Sequence, residues 1–269
     1  MQAAPSINLP QAIPLWPNPP IPFASAEDGE FPNLTVYLPS ADHRTGQTVL
    51  ILPGGGYQGV CSDREGHRPA QFLNAHGIAA AVLEYRHAPQ RHPVPLCDAQ
   101  RALRVLKDWA GKNGLAQDQV GVMGHSAGGH LAGSLATQPE VPEGKVGDEA
   151  DNFSSRPAFT ILMYPVVSFT TDYAHLGSRK NLLGEPADPV LVEQLSIEKA
   201  VTEETAPTFI VHAQDDPGVK VSHSLGLFKA LTEKGVKADL HIYASGGHGF
   251  GMASNHEWGP TLLRWLDRL

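Results

Sequence analysis

The sequence predicts one α/β domain built on a mostly parallel central sheet with helices on both faces. Three observations carry this expectation. Short apolar runs alternate with amphipathic stretches from residue 34 onward. Runs such as Ile78–Leu83 are apolar at every position, as strands covered on both faces should be. Glycines and prolines punctuate the joins between the two kinds of segment. The chain has 269 residues, 41% hydrophobic and 18% charged, a globular composition long enough for one large core.

In order along the chain, residues 1–33 form a proline-rich segment expected to wrap the domain as extended coil, since proline removes backbone donors. Residues 34–269 are expected to form a single domain. Leu34–Leu38 alternates as a strand, and Thr48–Leu52 is a second strand ending in Pro53-Gly54-Gly55-Gly56-Tyr57. A helix is expected from about Gly66 to His76, stopped by Gly77, before the buried strand Ile78–Leu83. Pro95 opens a helix whose Leu96, Ala99, Leu103, Leu106 and Ala110 share a face, with Gly111 and Gly114 at its end. Gln119–Met123 reads as a strand and Ala127–Thr137 as a helix. Phe159–Tyr164, Thr208–His212 and Ala238–Tyr243 are further strands. Val221, Leu225, Phe228 and Leu231 mark one late helix, and Trp258, Leu262, Trp265, Leu266 and Leu269 the closing one. The stretch 166–205 breaks this rhythm with Gly177, Gly184, Pro186 and Pro189. It reads either as a small cap inserted over a site or as a surface excursion away from it.

Composition excludes several classes. The net charge of −8 and the lack of a basic run speak against nucleic acid as a partner. No apolar stretch approaches the ~20 residues a membrane helix needs. The opening Met1-Gln2-Ala3-Ala4-Pro5 lacks the basic and apolar regions of a signal peptide, which leaves a cytoplasmic protein and a mature secreted or periplasmic form both open. The two cysteines, Cys61 and Cys97, read as ordinary thiols, with a single bridge between them as the alternative. None of the 13 histidines falls in a recognisable metal spacing, so no metal is expected.

The chemistry concentrates at predicted strand ends, where ligands bind in such sheets. Gly124-His125-Ser126-Ala127-Gly128 matches Gly-x-Ser-x-Gly between a buried strand and a helix. That context suits a serine nucleophile on a tight turn beside a helix N-terminus. The bland alternative is a structural turn with an N-capping serine. A serine hydroxyl needs a base, and the base an orienting carboxylate. His248, set in Ser245-Gly246-Gly247-His248-Gly249-Phe250 after the last strand, is the candidate base. The carboxylate comes from Asp215 or Asp216, at the end of the strand before it. Backbone N–H groups of Gly55, Gly56 and Ala127 are the expected oxyanion donors. The glycine run lacks the Gly-Lys-Ser/Thr of a phosphate loop. Tyr57 and Phe250 read as acyl-pocket walls or as core aromatics, and His125 as a site-lining residue or one that packs locally. The same two readings apply to His130, His212 and His241.

With Pro-Gly-Gly-Gly-Tyr, Gly-His-Ser-Ala-Gly-Gly-His and Gly-Gly-His-Gly-Phe in this order, the chain resembles α/β-hydrolase serine esterases, nearest to the acetylxylan esterase-like carbohydrate esterases. Further matches lie at Leu15-Trp16-Pro17, Glu65-Gly66-His67, Tyr85-Arg86, Asp98-Ala99-Gln100-Arg101-Ala102, Tyr164-Pro165-Val166, Asn181-Leu182-Leu183-Gly184 and Asp215-Asp216-Pro217. The resemblance implies the α/β-hydrolase fold, removal of acetyl or other small acyl groups from carbohydrate, no cofactor, and a triad of Ser126, Asp216 and His248. Asp216 is preferred over Asp215 because Asp216-Pro217-Gly218-Val219 resembles the Asp-x-x-Val turn of that fold. His125 stands where the group often has Phe. The rival readings are a general small-ester carboxylesterase, a serine peptidase of the same fold, and a non-catalytic relative that binds partners.

Overall fold

The computed structural model describes residues 9–16, 21–25, 32–251 and 256–269. Pro5, Pro17, Pro19 and Pro20 of the proline-rich segment, and the Met1–Pro5 start, lie outside these residues. The strands are β1 (Gln11–Ile13), β2 (Asn33–Tyr37), β3 (Thr48–Leu52), β4 (Ala79–Glu84), β5 (Val120–His125), β6 (Thr160–Met163), β7 (Thr208–Ala213) and β8 (Ala238–Tyr243). They form one sheet in the order β1-β2-β4-β3-β5-β6-β7-β8. β1 and β2 are antiparallel to their neighbours, and all other pairs are parallel. The helices are α1 (Arg68–Ala75), α2 (Val94–Lys112), α3 (Ala127–Thr137), α4 (Leu176–Leu183), α5 (Pro189–Gln194), α6 (Ile197–Ala200), α7 (Ser222–Glu233) and α8 (Trp258–Leu266).

The solid apolar strands are explained by two cores, one on each face. Alternate residues of β3 go to opposite sides, Leu50 and Leu52 toward α2, α3 and α7, and Val49 and Ile51 toward α1 and α8. In β7, Ile210 faces the first core while Phe209 and Val211 face the second. Because both cores meet the same strands, the register of the sheet is over-determined: a one-residue slip would exchange every inward side chain.

Two segments depart from expectation. Part of the proline-rich segment is a strand: β1, bracketed by Pro10 and Pro14, pairs at the sheet edge, the position where a missing donor does least harm. It is fastened by Leu15 and Trp16, both buried, by the Arg101 Nε–H to the Leu15 carbonyl (3.0 Å), and by the Arg101 guanidinium over the Trp16 ring. The stretch 166–205 holds three short helices, α4 to α6, where the sequence pattern shows only irregularity. The helix expected from Gly66 is also modified. A π-helical turn, Ser62–His67, precedes α1 and turns Glu65 inward.

Candidate active site

The site lies at the C-terminal ends of β3, β5, β7 and β8. β5 runs straight into Ser126 and then α3, and this turn is as tight as its glycines imply. A Cβ on Gly128 would lie 2.1 Å from the Leu52 carbonyl oxygen and 2.4 Å from that of Pro53. One on Gly124 would lie 2.2 Å from the Gly128 carbonyl oxygen. Ser126 itself has φ 53° and ψ −118°, a strained conformation for a residue with a side chain. The strain is held by backbone bonds: its N–H donates to the Met163 carbonyl (3.0 Å), and its carbonyl accepts from the His130 and Val166 N–H groups. Its side chain makes no cap bond to α3, which removes the N-capping alternative.

The Ser126 hydroxyl instead meets His248. Ser126 Oγ is 2.9 Å from His248 Nε2, and His248 Nδ1 is 2.7 Å from Asp216 Oδ2. The second Asp216 oxygen, Oδ1, accepts from the Gly218 and Val219 N–H groups, both at 2.8 Å. Burial alone would raise the Asp216 carboxyl. The hydrogen bonds from His212 and His248 and the Val219 N–H outweigh it and hold the group well below the usual carboxylate range. Asp215 has a different task. Its Oδ1 accepts the Gly247 N–H (2.8 Å), which braces the loop that carries His248.

On the opposite side of Ser126, the Gly54 N–H is taken by Glu65 Oε2 (2.9 Å). The N–H groups of Gly55, Gly56 and Ala127 have no acceptor among the described residues. Gly55 has φ 142°, and a Cβ there would lie 2.1 Å from the Gly59 carbonyl oxygen, so this turn requires glycine.

The three side chains expected to contact substrate are all buried, with packing partners inside the domain. Tyr57 is 1% exposed and gives its hydroxyl to His130 Nδ1 (2.8 Å). His125 is fully buried against the Tyr164 ring, and neither ring nitrogen has a partner among the described residues; burial pulls its imidazole down to about 4, so the ring is neutral near pH 7. Phe250 is 8% exposed and packs on Tyr164, Tyr243 and His256. His130 and His212 are likewise internal: His130 joins the Tyr57 hydroxyl to the Leu195 carbonyl, and His212 joins Ser224 Oγ to the Val219 carbonyl. His241 lies on β8 against Phe209, away from this arrangement.

Three residues near the site carry no role in the sequence reading. Glu65 is 2% exposed and touches the glycine loop through Gly54. Tyr164, with φ 39°, sets its ring edge-on to His248, with centroids 5.1 Å apart. His175 caps α4 through Nδ1, which accepts the Ser178 N–H (3.2 Å). Burial lowers its pKa. Glu65 and Tyr164 fall in segments that match the resembling family, but nothing in their spacing tells a buried carboxyl from a surface one. The insertion also touches the glycine loop, through Asn181 Nδ2–H to the Gly56 carbonyl (2.9 Å).

Comparison with known proteins adds to this geometry. The profile of the BD-FAE family matches residues 34–231. An acetylxylan esterase of Xylanibacter ruminicola is 32% identical over 252 residues, covering 91% of this chain and 49% of that protein. The endo-1,4-beta-xylanase B of Butyrivibrio fibrisolvens is 35% identical over 235 residues, covering 86% of this chain and 36% of that protein. The chain thus spans about half the length, or less, of these curated relatives. The crystal structure of an acetyl ester-xyloside bifunctional hydrolase from Caldicellulosiruptor lactoaceticus matches with a TM-score of 0.89 at 38% identity, over 96% of both chains.

Proposed function

The chain belongs to the BD-FAE family of α/β-hydrolases, and from that premise we propose that it is a serine carboxylic ester hydrolase that removes acetyl or other small acyl groups from carbohydrate. The observation that carries the chemistry is the hydrogen-bonded row Asp216–His248–Ser126, beside the Gly55, Gly56 and Ala127 N–H groups that have no acceptor among the described residues.

In this reading His248 Nε2 takes the Ser126 proton as Oγ attacks the ester carbonyl. The N–H groups of Ala127, Gly55 and Gly56 hold the oxyanion, a contribution of about 3–4 kcal/mol per donor. His248 then gives its proton to the departing alcohol, which leaves an acyl group on Ser126. Water, deprotonated by the same imidazole, attacks that acyl carbonyl; the acid departs and Ser126 recovers its proton. Asp216 holds His248 with its Nδ1 proton in place and stabilises the imidazolium that forms. The substrate class rests on the names of two relatives, an acetylxylan esterase and an acetyl ester-xyloside hydrolase. The cap reading of 166–205 is supported by the Asn181 contact to the glycine loop.

The test compares the wild type with Ser126→Ala on p-nitrophenyl acetate, a longer-chain p-nitrophenyl ester, acetylated xylan and a peptide anilide. Acetate release from p-nitrophenyl acetate and acetylated xylan, abolished by the substitution, is the expected result. Cleavage of the small esters alone would make the protein a general carboxylesterase, anilide cleavage would favour a peptidase, and ester cleavage that survives Ser126→Ala would end the proposal.

A further inference from the structure

We propose that Glu65 is a positioning residue that fixes the glycine loop against Ser126, so that the Gly55 and Gly56 donors are aimed before substrate arrives; this rests on the serine-hydrolase reading above. Glu65 is 2% exposed, and the catalytic steps above do not use it. One carboxyl oxygen, Oε2, accepts the Gly54 N–H at 2.9 Å, and the other accepts the Tyr164 hydroxyl at 3.1 Å and faces Arg64 Nη2 at 3.5 Å.

These bonds reach the glycine loop on one side and the Tyr164 ring on the other. Gly54 is pressed between the Glu65 carboxyl and the nucleophile turn: a Cβ there would lie 2.5 Å from Glu65 Oε2, 2.8 Å from the His125 carbonyl oxygen and 2.9 Å from Ser126 Cβ. Tyr164, at the end of β6, presents its ring edge-on to His248. Gly249, the residue after His248, lies close to Arg64 and Glu65: a Cβ on it would be 3.1 Å from Arg64 Nη2 and 3.5 Å from Glu65 Oε1. One carboxyl group therefore braces the oxyanion loop and the face on which the base rests. The π-helical turn is what makes this geometry available, because it brings Glu65 inward one residue ahead of Gly66, which fits against Val82 and Pro53.

A buried carboxyl with this many partners would also stiffen the fold, so the test must read the transition state and not the yield of folded protein. Glu65→Gln keeps an oxygen for Gly54 but offers an amide donor to Tyr164; Glu65→Ala removes both acceptors; Tyr164→Phe removes only the second bond. Active sites are counted with a phosphonate ester, and rates are expressed per reactive site. The expected kcat on p-nitrophenyl acetate falls by about 100-fold in Glu65→Ala, approaching the effect of losing an oxyanion donor, and by about 10-fold in Glu65→Gln, with KM within about threefold of wild type. Tyr164→Phe falls by a smaller factor than Glu65→Gln. The inhibition constant of a trifluoromethyl ketone, which engages the oxyanion donors, rises in step with the loss in kcat/KM. Should Glu65→Ala not fold, Glu65→Gln decides. An unchanged per-site kcat in the Gln variant, or a fall with no change in ketone affinity, overturns the inference. Loss of activity in Ser126→Ala beside normal Glu65 variants would sink this inference alone, whereas activity surviving in Ser126→Ala would sink the reading beneath it.

Discussion

The turn that carries Ser126 and the insertion at 166–205 are both close to the site, yet they are held by different means. The Ser126 turn is fixed by backbone sterics. Gly124 and Gly128 let β3, β5 and α3 approach to distances no side chain would permit, and Met163, His130 and Val166 bond the strained residue in place. The insertion is fixed by buried imidazoles. His130 donates from Nε2 to the Leu195 carbonyl, and His223 accepts the Val167 and Ser168 N–H groups at Nδ1 while donating to the Tyr173 carbonyl. Backbone sterics do not depend on pH. Imidazole bridges do, and the difference separates a turn held by backbone contacts from a segment whose attachment depends on protonation.

The largest break in this comparison should come from Gly128→Ala. Because its Cβ would meet two carbonyl oxygens of the chain rather than flexible side-chain ends, we expect a loss of more than about 3 kcal/mol in denaturant unfolding, with activity lost alongside. Next in size, Asp216→Asn should lower kcat by about 10³- to 10⁴-fold with the fold retained, since the amide disturbs the tautomer of His248. Asp215→Asn should stay within about tenfold of wild type, because Asp215 braces only Gly247. Steady-state kinetics on p-nitrophenyl acetate distinguish the two.

Acid should act on both sides, through His130 and His223 at the insertion and through His125 beside Ser126. Burial is the first cause in lowering His125, His130 and His223 to about 4, from the ordinary 6.5. The His223 imidazole therefore stays neutral as it bridges Val167, Ser168 and Tyr173. Between about pH 6.5 and pH 4 the unfolded chain binds protons that the folded one does not, so stability falls as pH falls through that window and is fully present above it. The Asp216 carboxyl, also lowered in the folded state, adds a loss of the same sign at still lower pH. Denaturant unfolding at about pH 7 and about pH 5 should differ by a few kcal/mol, in favour of the higher pH. On the insertion side the comparison is sharpened by His130→Ala. It orphans the Tyr57 hydroxyl and the Leu195 carbonyl and should cost about 2–3 kcal/mol, flatten the acid dependence, and leave kcat on a small ester within about tenfold of wild type.

The same contrast explains what could be read from the sequence. Apolar runs such as Ile78–Leu83 and Phe159–Tyr164 mark strands because both of their faces are covered, and that demand leaves no room for polar residues. Gly124, Gly128 and the glycines around His248 are legible because only a residue without a side chain meets those turns, and they point to Ser126 and His248. The choice of Asp216 over Asp215 needed the resemblance, since the two residues are identical in type and adjacent. Their partners, His248 for one and Gly247 for the other, depend on a loop 32 residues away. β1 was hidden by its flanking prolines, which argue against a strand everywhere except at a sheet edge. α4 to α6 were hidden because they are too short to show an apolar stripe at helical spacing. Tyr57, His125 and Phe250 look like pocket residues from their place in the motifs, and whether such a ring faces a cavity or the core is decided by distant packing partners.

The central claim is that Ser126 Oγ forms the bond to the acyl group. Its most direct test is intact-protein and peptide mass spectrometry after reaction with a phosphonate ester, for the wild type and for Ser126→Ala. We expect one adduct per chain, carried by the peptide containing Ser126, with activity lost in proportion to labelling and no adduct in the variant. An adduct on a different residue, or full esterase activity in a chain whose Ser126 is completely labelled, would contradict it.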